Sequence, residues 1–288
     1  MKLLRYTFQS YLPKILNDKM CAFIFVMGTL SWIYAQPYAA YAGEVGYPIT
    51  WCMFPFYLTS PYYLTLFYLG VIYVNSDIPF SQSSNLYQIV RTGYRKWAFA
   101  QIGGIFLRSC TLALVTAAVT ILPFIGKLDV SNKWGKLTVT LAQTDSAFRQ
   151  NYEAVFRIYY EALKQFSPIS LMVWSLVIVS LVCTFLCLLM YLLSILVNKI
   201  VGLLAVTILS LMVYFLENTF PAYKLSVSRF LPTCWVQVAI ATQQFGGFYR
   251  LPSVSYMLVW LIAATLILSA LICLFINKVE LKWENSDE

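Results

Sequence analysis

Six stretches of this chain contain no Asp, Glu, Lys or Arg: residues 20–43, 45–76, 109–126, 165–198, 200–216 and 251–277. Each can supply a helix of about 20 residues, the length that crosses a hydrocarbon core of roughly 30 Å at about 1.5 Å per residue. Hydrophobic residues make up 60% and charged residues 11% of the chain, with a mean hydropathy of +0.71. Soluble domains run at roughly half apolar and a quarter charged, so the expectation is an all-α integral membrane protein with six transmembrane helices.

The formal charge of +8 does not point to nucleic acid. The basic residues are spread along the chain and flank apolar runs, where anionic headgroups favour them, and no nucleic-acid footprint is present. The seven cysteines never form a CxxC pair and lie mostly inside apolar runs, as small buried apolar residues do. Cys52 and Cys234 both fall near the outer face, which leaves a disulfide between them open. There is no histidine, which removes the commonest general base, triad member and metal ligand. The expectation is a chain that is not an enzyme, with no metal or cofactor of its own.

Residues 1–19 place Leu4, Phe8, Tyr11, Leu12, Ile15 and Leu16 at helical spacing among Lys2, Arg5, Lys14 and Lys19, the pattern of a helix lying along the membrane surface. Residues 20–288 read as one six-span domain. The first span starts at Cys21. The basic start and Ala40-Tyr41-Ala42 before Gly43 also fit a secretory signal, but the basic region is long and itself amphipathic. Trp51 to Val74 is the second span, with Pro55 and Pro61 kinking its outer end. Ala98 to Phe124 is the third. Residues 125–168 form an outer region in which Phe148, Tyr152, Val155, Phe156, Tyr159, Leu163 and Phe166 recur at helical spacing, predicting an outer amphipathic helix over 145–166 capped by Thr144 or Asp145. Pro168 opens the fourth span, Ile200 to Leu216 is the fifth, and Val254 to Ile276 the sixth. The outer irregular region 217–253 includes Trp235 to Thr242 as a short re-entrant or interfacial helix.

Loop charge orients the chain. With the N-terminus inside, the inner segments carry ten Lys and Arg in 56 positions, against nine in 93 for the outer segments. The density favours N-in and C-in.

The phosphate-cradling pattern GxxxxGK[ST], a dinucleotide fingerprint and a GxSxG elbow are all absent, so energy for any work must come from an ion gradient or another subunit. Between the span ends the only charge is Arg108, which is thin material for a coupled-ion site. It either snorkels or pairs with a carbonyl, or it contacts an anionic substrate or lipid. Gly103-Gly104 reads as a helix-packing site. The aromatic residues near span ends form interface belts.

The informative interruption is the polar island Asn75 to Trp97. It places Arg91, Arg95 and Lys96 beside Ile89, Val90 and Trp97, with Phe80 fixed after Pro79. One reading is a solvated loop whose charges enforce topology. The other is a short docking helix: Ile89, Val90 and Trp97 enter a groove of a cytosolic partner, Phe80 is a second anchor, and Arg91, Arg95 and Lys96 meet acidic residues or headgroups.

The order of these parts resembles the type-two ABC exporter permeases. Asp77-Ile-Pro-Phe-Ser81 and Arg91-Thr-Gly-Tyr-Arg-Lys-Trp97 are similar to the corresponding segment in Gram-positive members that export peptides, antibiotics or related amphiphiles. The resemblance covers the whole chain as an architecture and only this segment as local sequence. It implies a permease in the bacterial cytoplasmic membrane, paired with a second copy or a paralogue on a cytosolic ABC ATPase subunit that binds ATP and Mg. Residues 1–19 would be the elbow helix and 75–97 the coupling segment. The outer region after the third span is longer than that pattern has, which loosens any inference of substrate. The alternatives are an ion-coupled secondary transporter or channel, or a non-transporting scaffold, sensor or immunity protein that binds through the outer helix.

Overall fold

The computed structural model describes residues 17–77, 93–144, 155–218 and 226–276. In chain order the elements are α1 (Asp18–Val45), β1 (Ile49–Thr50), α2 (Phe54–Tyr57), α3 (Pro61–Asn75) and α4 (Tyr94–Ile121), which a 3-10 turn extends to Phe124. Then come β2 (Leu128–Asp129), α5 (Lys136–Thr144), α6 (Tyr160–Gln165), α7 (Pro168–Leu196) and α8 (Lys199–Glu217). A 3-10 turn (Pro232–Cys234), α9 (Val238–Ala241), the hairpin β3 (Gln244–Phe245) and β4 (Phe248–Tyr249), and α10 (Val254–Phe275) complete the order.

Helices α1, α4, α7, α8 and α10 are long and apolar enough to cross a membrane, so the fold is that of an all-α, multi-pass membrane protein. Their starts follow local chemistry. The Ser167, Asn198 and Ser253 side chains each accept a first-turn backbone N–H at the heads of α7, α8 and α10.

The run over Trp51–Val74 is not one kinked span. Pro55 and Pro61 each sit in the first turn of a separate helix, where a missing N–H costs nothing, and the chain turns between them at Leu58 to Ser60. The resulting α3 has 15 residues and is about 22 Å long, short of a hydrocarbon core.

Helix α7 is the centre of the bundle, packed on α4, α8 and α10, while α3 lies between α1 and α8. Tyr63, Leu64, Phe67, Tyr68 and Val71 on α3 are fully sealed. Close approach between helices occurs at Gly202 and Gly70. A Cβ at Gly202 would lie 2.7 Å from the Met190 carbonyl, and one at Gly70 would lie 2.6 Å from the Phe23 ring. The expected packing role of Gly103-Gly104 is corrected at Gly104, where a Cβ would meet nothing within 4 Å among the described residues.

Lys127 Nζ donates to the Ala39 carbonyl, so α1 and α4 finish at the same end, here the cap; the opposite end is the base. At the cap, β1 and β2 pair in parallel, Ile49 against Leu128. Tyr38 stacks on the Phe156 ring and Tyr57 packs tilted against it, each with centroids 4.5 Å away, the Tyr38 hydroxyl donates to the Phe156 carbonyl, and Trp134 Nε1 donates to Phe166 O. These contacts correct the outer amphipathic helix over 145–166. Its first part lies outside the described residues, but Val155 to Tyr159 is non-helical and α6 has only six residues. Thr144 is the last residue of α5. A buried aromatic anchor at Phe156 outweighs the local helical period.

Of the helix expected over Trp235 to Thr242 only Val238–Ala241 is helical, and the re-entrant segment Leu231 to Ala241 packs against the bundle largely as irregular backbone. Tyr68 donates its hydroxyl to Thr233 O at 2.7 Å, Thr233 Oγ1 donates to Leu209 O at 3.2 Å, and Gln237 Nε2 donates to Thr59 O at 3.3 Å. Leu209 lies about two turns inside the cap end of α8. Irregular backbone survives at this depth because protein covers it: Trp235, Val236, Val238 and Ala239 are buried. Cys52 and Cys234 are both buried free thiols, so no disulfide joins them.

Candidate functional site

Polar chemistry at the base gathers where α3 ends and the island begins. Asn75 is fully buried; its amide N–H donates to the Val71 carbonyl at 2.8 Å, leaving Oδ1 to accept from Arg108 Nη1 at 3.2 Å. Arg108, midway along α4 and only 9% exposed, thus meets a neutral acceptor at the level where α3 stops. A guanidinium at such a depth is costly unless its donors are used, and the Asn75 carbonyl supplies one partner.

Just beyond Asn75, Lys19 at the head of α1 clasps the end of α3. Its Nζ lies 2.5 Å from Asp77 Oδ1 and 2.8 Å from Ser76 Oγ, and sits 5.5 Å over the Tyr73 ring. Three elements therefore converge: α1 through Lys19, α3 through Tyr73, Asn75, Ser76 and Asp77, and α4 through Arg108.

Phe80, Ile89, Val90 and Arg91 lie outside the described residues. The chain resumes at Gly93, whose φ of 81° is a conformation that glycine adopts without a Cβ penalty, and α4 begins at Tyr94. Arg95 and Lys96 are exposed in the first turn of α4. Trp97 is 0% exposed and belongs to the core, as does Ala98. The expectation that Trp97 inserts into a partner's groove is corrected: α4 starts four residues earlier than the expected span, and its buried face already includes this ring. Arg95 lies near enough to Cys273, close to the end of α10, to act on it electrostatically, so α4 begins where α10 finishes.

The first turn of α4 carries no acidic residue. Two cations at the positive end of a helix macrodipole oppose it, an arrangement that an anionic surface relieves.

Sequence reasoning placed Asn75 and Asp77 in the island without a role of their own and missed Lys19 as part of this site. The signal was present: Lys19 directly precedes the first charge-free run and Asp77 directly follows the second, and adjacent antiparallel helices bring such bracketing charges together. Comparison with protein-family models, curated proteins and solved structures finds no match to this chain. Among the described residues, no group of three or more His, Cys, Asp or Glu is placed to hold a metal ion.

Proposed function

We propose that this chain is the membrane-spanning permease subunit of an ATP-driven exporter of the ABC type, moving an amphipathic substrate such as a peptide, antibiotic or lipid-like molecule with energy from a separate cytosolic ATPase. In this reading the base faces the cytoplasm and the cap faces outward. The α2–α3 pair is the sixth crossing, its missing length made up by the turn at Leu58 to Ser60 and by the re-entrant segment. A second permease copy or a paralogue completes the pathway.

The observation that carries the reading is the rooting of the island at both ends. Its start is clasped to α1 by Lys19–Asp77 and to α4 by Asn75–Arg108, and its end runs straight into α4 with Arg95 and Lys96 exposed. A push on residues 78–92 is delivered to α1, α3 and α4 together, which is what coupling to a moving partner requires. Arg95 and Lys96 would meet acidic side chains of that partner. The alternative of an ion-coupled carrier is less well supported, because Arg108, the charge at depth, is already engaged by Asn75.

The test is whether an ATP-binding subunit co-purifies with the chain from its native membrane, comparing wild type with the double variant Arg95→Glu/Lys96→Glu. The expected result is loss of the ATPase subunit and of ATP-dependent transport with helical content unchanged. A double variant that retains both would remove the docking assignment.

A further inference from the structure

At the cap, far from the docking site, a cleft of about 580 Å³ opens between the end of α6 and the stretch from Arg229 to Val254. Phe166 comes from the end of α6, Thr242 from the returning limb of the re-entrant segment, and Tyr249, Leu251 and Val254 from the approach to α10; among the described residues Arg229 is the one charged wall residue. A volume of this size falls within the range of roughly 300–1,000 Å³ that encloses small-molecule ligands.

Arg229 is held in place, yet its charge is unanswered. Its Nε and Nη2 donate to the Tyr249 carbonyl at 3.3 and 2.7 Å, and its own carbonyl accepts from Trp235 Nε1 at 3.1 Å. Trp235 is buried and packs edge-on against Trp260, with centroids 5.1 Å apart, so the backbone at Arg229 is braced from within the core. Among the described residues no carboxylate pairs with Arg229. The contrast is with Arg250, which lies beside Tyr249, is buried, and is neutralised by Glu217. Of the two arginines on this surface, one holds the cap together and the other presents a pre-oriented cation to a cleft with apolar walls. A planar guanidinium already fixed through two of its nitrogens binds a further anion with less loss of side-chain freedom.

We propose that this cleft binds a small amphiphile with an anionic head group, the head on Arg229 and the apolar part against Phe166, Leu251 and Val254. The assignment rests on the cap alone and is independent of whether the base docks an ATPase.

The full chain in phosphatidylcholine nanodiscs, without any partner subunit, is titrated calorimetrically with octyl phosphate, octyl glucoside and inorganic phosphate. Octyl phosphate is expected to bind saturably at one per chain, and the two others about tenfold more weakly, since each supplies half of the recognition. Arg229→Gln should weaken octyl phosphate about tenfold and leave octyl glucoside unchanged. Because Arg229→Gln also disturbs the Tyr249 contact, Thr242→Trp serves as a second variant that fills the cleft and keeps the cation; it should abolish the isotherm. Equal binding of octyl phosphate and octyl glucoside, or octyl phosphate binding unaffected by either variant, overturns the proposal. Repeating the titration in discs containing phosphatidylglycerol separates the sources: loss of the isotherm assigns the cleft to a lipid headgroup, and its persistence to an amphiphile free in solution.

Discussion

Lys19 and Asp77 lie 58 residues apart and meet at 2.5 Å, so the first residues of α1 and the first residue beyond α3's end cap are held as one unit. Both side chains are partly solvated, at 25% and 44% exposure, which limits what the pair contributes. A double-mutant cycle of Lys19→Gln and Asp77→Asn should give a coupling of about 0.5–1 kcal/mol by thermal unfolding in detergent. Additivity of the two single variants would mean that the clasp carries no stabilisation.

The buried pair at Asn75 and Arg108 should behave differently. Asn75→Leu takes one acceptor away from a largely buried guanidinium, and stability should fall by about 2–3 kcal/mol. Adding Arg108→Met to Asn75→Leu should recover much of that loss, because the buried charge is removed together with its Asn75 acceptor. If the double variant is no more stable than Asn75→Leu, the contact is incidental.

Two glycines should respond with opposite sign to the same change. Gly202→Ala drives a methyl toward the Met190 carbonyl, a backbone atom that cannot swing aside, and should destabilise by about 1–3 kcal/mol. Gly104→Ala meets open space within a helix and should be neutral or stabilise by up to about 1 kcal/mol. Unfolding midpoints of the two variants decide the matter.

How much of this fold could be read from the chain depended on which signal was local. The five long helices follow from charge-free runs, and Trp235 to Thr242 stood out as a short helix, re-entrant or interfacial, within the outer irregular region. The division of the second run was hidden because residues 45–76 contain no charge to mark it, although Pro55 and Pro61 stood at both helix starts. The helix expected across Val155 to Tyr159 fails for a non-local reason, namely that the Phe156 ring and carbonyl are both taken by Tyr38 of α1. Of the site, Arg95, Lys96 and Arg108 were legible as charges in unusual places. The Asn75 partner of Arg108 and the Lys19–Asp77 clasp were not, since they become meaningful only once α1, α3 and α4 are side by side.

Cys52 supplies a pH test. Burial pushes its thiol well above the ordinary cysteine range, with a backbone contact to Met172 as the lesser, opposing influence. Its folded-state value exceeds the unfolded one, so the stability it contributes is fully present below about pH 8.5 and declines as the unfolded thiol ionises above that. Wild type should therefore lose up to about 1.4 kcal/mol per pH unit between roughly pH 8.5 and 10 from this group, a slope that Cys52→Ala lessens. In maleimide labelling, Cys21, which is exposed, should react in the folded protein, whereas Cys52 should stay unreactive from about pH 7 to 9 until denaturant is added. Rapid labelling of Cys52 under native conditions would contradict its burial.

The hydrogen bond from Tyr68 to Thr233 joins residues separated by 165 positions. A ribosome adding about 5–20 residues per second needs on the order of ten to thirty seconds to supply that acceptor after Tyr68 has been made. Throughout that interval the nascent chain holds α3 with a phenolic hydroxyl awaiting its acceptor in the bundle, and the seat later filled by Leu231 to Ala241 stands open. The last third of the polypeptide thus closes a gap left by the first, and the time most vulnerable to misassembly lasts until the segment after α8 has been made.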